Sequence, residues 1–324
     1  MKKLLNLNLI TLAISSAACA TLTQPTSQAG RIIEFKSDSN GFDTKTFFYE
    51  GQQEVIAFDA QFTPELAQAA IDYLRTFTKK PITWLVITHP NPDKFNGASV
   101  FKKEGSQIIS SQSTALAIPE AHSYKEFYFV EIAKMFQKGQ YPQPVPVDRI
   151  FKGKMELVLN DGEKIVLQEL SKPGISSTQT VAYVKNAKAL FVGDLVHHKA
   201  HAWLEGGIVN GKPKPTLNSW IEDLKEIEAY YSPNTLIYGG RGQVVSLSEA
   251  VPSQIRYLEM TKKLVNKELK KLGSKAAEFN GPNSGAMYKA LTQKFQEAFP
   301  NYELPYMIEY GIYGLVQSEM KSSK

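Results

Sequence analysis

The segment that most constrains this chain is a short apolar run, residues 84–87 (WLVI), that opens directly into Thr88-His89-Pro90-Asn91-Pro92-Asp93-Lys94-Phe95-Asn96-Gly97. An unbroken apolar run of this length, rich in branched and aromatic side chains, reads as a strand covered on both faces. Just upstream, residues 63–78 (TPELAQAAIDYLRTFT) have the spacing of an amphipathic helix. Thr63 is placed to cap it, Pro64 sits in its first turn, and Leu66, Ala70, Tyr73, Leu74 and Phe77 line one face. Strand, helix, strand, then a polar loop at the strand's carboxyl end is how α/β proteins build sites.

The same reading extends along the chain. Strands are predicted at residues 31–35, 45–49 and 55–59, the last two separated by a turn at 50–53. A helix over 96–103 and a strand at 107–110 follow the polar loop. Residues 115–145 read as a mostly helical insertion with a proline-rich exit, and strands return at 154–159 and 163–170 across the turn Asn160-Asp161-Gly162. Further strands are expected at 180–184, 189–192 and 235–238, with helices at 217–230, 252–273 and 284–299. A hydrophobic content of 43% against 21% charged residues is enough for a sizeable core over 324 residues.

Both ends carry topological information. Met1-Lys2-Lys3, an apolar run to Ile14 and Ala18-Cys19-Ala20 form a secretory signal peptide with cleavage after Ala20. Against an N-terminal anchor, the run is short of the ~20 residues a span needs. Against a lipoprotein cut before Cys19, Ser16 stands where leucine is usual. The mature chain is then periplasmic or secreted, with residues 21–30 a flexible lead-in and no stable membrane span. It also lacks cysteine, which removes disulfides and thiolate ligands. The lysines of residues 262–275 fall within a helical pattern and read as a solvated face, so nucleic acid is not an expected partner. Oligomeric state is not legible.

Five landmarks in order now resemble the metallo-β-lactamase superfamily. They are the strand ending at Asp59, the loop 88–97, Pro173-Gly174-Ile175-Ser176-Ser177-Thr178, Leu190-Phe191-Val192-Gly193-Asp194-Leu195, and Tyr238-Gly239-Gly240-Arg241-Gly242. The resemblance covers residues 31–250 and implies a four-layer αβ/βα sandwich with a dinuclear zinc site at one edge. Residues 251–324 are then a helical C-terminal extension. The loop resembles the family's THxHxDHxxG motif, with Asn91 and Lys94 in two of its histidine positions. Transferring the ligand set residue by residue gives His89, Asn91 and Ile175 for one metal subsite, and Asp93, Lys94, Asp194 and Arg241 for the other.

Catalytic zinc needs about three protein ligands and a water. On that count the expected cofactor is none or a single zinc ion, with His89, Asp93 and Asp194 as the candidate ligands. The replacements follow a charge logic: Lys94 and Arg241 would enter the space between Asp93 and Asp194, which otherwise repel. His197, His198 and His201 form a further cluster, either on one face of a helix as a displaced metal site or, as preferred, in a loop facing substrate or solvent. Asp93 and His89 are the candidate catalytic residues; Asn91, Lys94, His201, Trp203 and Arg241 are the candidate substrate-binding ones. The sequence reading is an exported hydrolase-like protein, atypical or inactive, that binds a small molecule. Its alternatives are a mononuclear metal-dependent hydrolase of an ester, lactone or amide, and a partner-binding module built on the C-terminal helices.

Overall fold

A computed structural model describes residues 30–322; the signal-peptide and lipoprotein readings concern residues outside that range. The first half contains β1 (Arg31–Lys36), β2 (Lys45–Glu50), β3 (Val55–Phe58), α1 (Pro64–Arg75), β4 (Ile82–Val86), α2 (Pro92–Phe95), α3 (Ala98–Lys103), β5 (Gln107–Ser111), α4 (Gln112–Phe127) and β6 (Arg149–Phe151). The second contains β7 (Lys154–Val158), β8 (Lys164–Glu169), β9 (Thr180–Val184), β10 (Ala189–His198), the small hairpin β11 (Gly207–Val209) and β12 (Lys212–Lys214), α5 (Leu217–Tyr230), β13 (Leu236–Gly242) and β14 (Val245–Ser246). The C-terminal extension comprises α6 (Leu247–Leu272), α7 (Ser284–Ala298), α8 (Tyr306–Gly311) and α9 (Tyr313–Ser322).

The strands form two six-stranded sheets, in the orders β1-β2-β3-β4-β5-β6 and β14-β13-β10-β9-β8-β7. The sheets pack face to face through Phe47, Ile56, Phe58, Leu167, Ala182 and Phe191, with the rings of Phe58 and Phe191 stacked at 4.0 Å. The outer face of the first sheet buries Phe48, Ala57 and Leu85 under α1 and α3. That of the second buries Val181, Leu190 and Val192 under α5 and α6. Helix, sheet, sheet, helix is the four-layer sandwich expected. Being covered on both sides also explains β2, in which all six residues are buried and alternate side chains serve different layers.

Local signals act as anticipated at α1, where Thr63 Oγ1 accepts from the Leu66 amide at 3.3 Å and Pro64 opens the helix. Its apolar face is rotated from the expected one. Ala67, Ala70, Ile71 and Leu74 face the core, while Tyr73 and Phe77 are 42% and 45% exposed and pack on each other. Two boundaries also move. The long helix begins at Leu247 and runs through Pro252. The strand expected to stop at 192 continues to His198, with register shifts around Gly193 where it pairs with β13. Residues 194–198 are therefore neither helix nor loop. Among the described residues, no helix is long and apolar enough to cross a membrane.

Candidate active site

Four strands supply the site. The parallel pair β3 and β4 of one sheet and the parallel pair β10 and β13 of the other deliver their carboxyl-terminal ends to the same edge of the sandwich. Asp59 follows β3 with a left-handed φ of 64°, an arrangement that non-glycine residues hold only when the surroundings fix it. Its carboxylate accepts from the Thr88 amide at 3.0 Å and from Thr88 Oγ1 at 2.9 Å, tying the ends of β3 and β4 together. Two glycines let the sheets close on this edge. Gly193 has φ +50° and a side chain there would collide with Thr88; a side chain on Gly240 would collide with the Asp194 carboxylate and crowd Lys94 Nζ.

At the centre lie two carboxylates and two cations. Lys94, which is fully buried, places Nζ 2.8 Å from Asp93 Oδ2 and 2.8 Å from Asp194 Oδ1. Arg241 grips the same pair from the other side, with Nη2 3.0 Å from Asp93 Oδ2 and Nη1 2.7 Å from Asp194 Oδ2. Two further guanidinium N–H groups donate to Thr44 Oγ1 and the Phe42 carbonyl, both at 2.7 Å. The site residues Asp93, Lys94, Asp194 and Arg241, 148 positions apart at the extreme, are thus brought into one cluster.

Electrostatics follow from this packing. Burial alone would raise the Asp194 carboxyl, but Arg241 and Lys94 together hold it well below the usual carboxylate range. The same opposition leaves Asp93 lowered to about 2. Lys94 is raised above its ordinary value: burial favours the neutral amine, and Asp194 and Asp93 outweigh it. Asp59, which lies 3.9 Å from Lys94 Nζ, is pushed up to about 6 by burial.

His89 is buried with Nδ1 2.9 Å from Thr88 Oγ1, and its Nε2 approaches Asp194 Oδ2 at 3.6 Å without a hydrogen-bond partner. Ile175, in the position of a third histidine, is buried in the core under the second sheet. Among the described residues, no group of three or more His, Cys, Asp or Glu side chains is placed to hold a metal ion. The donor set itself does not fit zinc. The ammonium and guanidinium that touch both carboxylates stay protonated and offer no lone pair.

The histidine cluster of residues 197–201 is placed differently from the sequence expectation. His197 is buried, with Nδ1 3.2 Å from the His201 carbonyl and Nε2 3.5 Å from Asp194. His201 neither lines the site nor meets solvent. It is fully buried among Tyr257, Phe295, Phe299 and Tyr302, where the C-terminal extension closes over it. Burial, then the neighbouring His197, pushes its imidazole down to about 4. His122 is a core residue whose Nε2 meets the Pro142 carbonyl at 2.9 Å.

Above the charge cluster is a floor with room for a water or two, about 30 Å³, lined by Asn91, Asp93, Lys125, Asp194, Arg241 and Trp203 among others. Phe42, Phe129 and Trp203 line both this floor and an adjoining cavity of about 470 Å³ whose walls are largely aromatic. The insertion supplies Tyr128, Phe129, Ile132 and Met135 to those walls, and α8 supplies Tyr306 and Tyr310. Sequence reasoning placed Asn91 and Trp203 at the site but missed Lys125, Glu205 and Phe42. Lys125 forms a buried ion pair with Glu205 and lies 4.8 Å over the Trp203 ring; Trp203 Nε1 donates to Glu205 at 2.9 Å.

The model of the metallo-beta-lactamase superfamily matches residues 40–239. The chain belongs to the metallo-β-lactamase superfamily. Solved structures agree on the fold. A metallo-β-lactamase from Pontibacter korlensis aligns with TM-score 0.54 at 17% identity, covering 73% of this chain and 97% of that one. The FIM-1 metallo-β-lactamase from Pseudomonas aeruginosa, solved in its mono-zinc form, gives TM-score 0.52 at 16% identity over 71% of this chain and 90% of that one. The DIM-1 metallo-β-lactamase, solved after exposure to ceftazidime, gives TM-score 0.51 at 17% identity over 72% and 98%. A search among curated proteins returned no match. The superfamily fold points to hydrolase-like function.

Proposed function

We propose that this chain is an exported, hydrolase-like member of the superfamily in which Lys94 and Arg241 take the place of metal charge. On this reading it binds a small ligand in the aromatic cavity without metal-assisted hydrolysis. The observation that carries the reading is Lys94 Nζ at 2.8 Å from both Asp93 and Asp194. Two carboxylates at close range need a compensating cation. A fixed ammonium and guanidinium provide it without a lone pair to offer a metal or a proton-accepting site to a water. What the residues do is therefore structural: they hold the loop after β4 against β10 and β13 and keep the cavity floor closed.

The mononuclear metal-dependent hydrolase is the second reading. In its favour, the Nε2 atoms of His89 and His197 are buried near Asp194 without hydrogen-bond partners. Hydrolysis assays on aryl esters and lactones, with and without added zinc, separate the two. The expected result is no zinc-dependent turnover by the wild-type chain. Zinc-dependent turnover abolished in Asp194→Ala would establish the second reading instead.

A further inference from the structure

We infer that the aromatic cavity selects an uncharged, flat, apolar molecule with one neutral hydrogen-bonding end, and discriminates against organic anions. The inference rests on the ligand-binding reading above and adds the chemical class. Its volume of about 470 Å³ suits a drug-sized ligand, and Tyr128, Phe129, Trp203, Tyr306 and Tyr310 offer it ring faces and edges. The selectivity comes from the floor. Each cation near it is already committed. Four of the five Arg241 N–H groups donate to Asp93, Asp194, Thr44 and the Phe42 carbonyl. Lys94 is held by Asp93 and Asp194, and Lys125 by Glu205. Four carboxylates (Asp59, Asp93, Asp194 and Glu205) stand against these three cations.

An incoming carboxylate would have to displace a buried acidic partner or be buried unpaired, and both are costly. A cationic ligand would enter beside the fixed Lys125 ammonium, which already occupies a face of Trp203 at 4.8 Å. Asn91 lines the floor on which the cavity opens. It sits at the N-cap of α2 but makes no capping bond, so its amide can donate to and accept from a neutral ester, amide or lactone group.

Three matched probes test this by calorimetry and tryptophan fluorescence at neutral pH: methyl 2-naphthoate, 2-naphthoate and (2-naphthylmethyl)trimethylammonium. The ester is expected to bind saturably and at least about tenfold more tightly than either ion. Tyr310→Ala, at a wall residue that is 50% exposed, is expected to weaken the ester severalfold and leave the thermal midpoint unchanged. Equal or tighter binding of either ion overturns the class while leaving ligand binding intact. Unchanged ester binding in a folded Tyr310→Ala overturns the location. No saturable binding of any probe overturns the inference together with the reading beneath it.

Discussion

Strand β10 and the segment just after it carry two buried polar clusters that resolve burial in opposite ways. Around Asp194, each of four charged groups has an opposite charge within 3.0 Å. Seven residues further on, His201 has one ring nitrogen 3.2 Å from Tyr257 Oη, and its other, Nε2, has no hydrogen-bond partner. Its surroundings are aromatic, and burial drives it to the neutral form. The first cluster is held by charge, and loss of one member would leave an opposite charge buried without its partner. The second behaves as core that happens to contain imidazole. Both offer candidate metal ligands in the sequence, although the preferred sequence reading of the histidines is a loop facing substrate or solvent. The difference teaches that the cation between two carboxylates, more than the number of potential ligands nearby, decides what such a site can hold.

The largest expected effect breaks the charged cluster. Lys94→Met leaves Asp93 and Asp194 facing each other beside Arg241 alone, and urea unfolding should show a loss of about 3–5 kcal/mol. Arg241→Ala should act in the same direction. If Lys94→Ala and Arg241→Ala both left stability unchanged, the cations would not be holding the loops. The matching change in the second cluster, His201→Phe, is expected to be mild at neutral pH, of order 1 kcal/mol for the lost Tyr257 hydrogen bond.

Acid separates the clusters again. The His201 imidazole is pushed below its ordinary value in the folded state, so the unfolded chain binds the proton first. Its contribution is therefore intact above the ordinary histidine pKa of about 6.5 and is lost as pH falls towards about 4. Wild type should lose on the order of 2 kcal/mol relative to His201→Phe between pH 7 and pH 4. A constant difference across that range would show that the imidazole is charged or wet in the folded protein.

The fold was legible in the sequence because its signals are local. The apolar runs at 55–58 and 82–87, the Thr63-Pro64 helix start and the glycines of the GD and YGGRG segments each report nearby geometry. Within the site, Asp93, Lys94, Asp194 and Arg241 could be named from their positions in the motifs, and the structure brings them together. The histidines were misplaced because their role depends on residues 257–302, which no local pattern links to position 201. Lys125 was unreadable for the same reason. On a helix it reads as a solvated lysine, and its partner Glu205 lies 80 residues away. The cavity walls were unreadable too, because they join residues as far apart in sequence as Phe42, Phe129, Trp203 and Tyr306.

Fixed side-chain cations, Lys94 and Arg241, stand where the superfamily resemblance implies metal charge. A calorimetric zinc titration of the purified chain at neutral pH tests this most directly. The account predicts no saturable heat and no metal retained after dialysis. One tightly held zinc per chain, lost in Asp194→Ala, would contradict it.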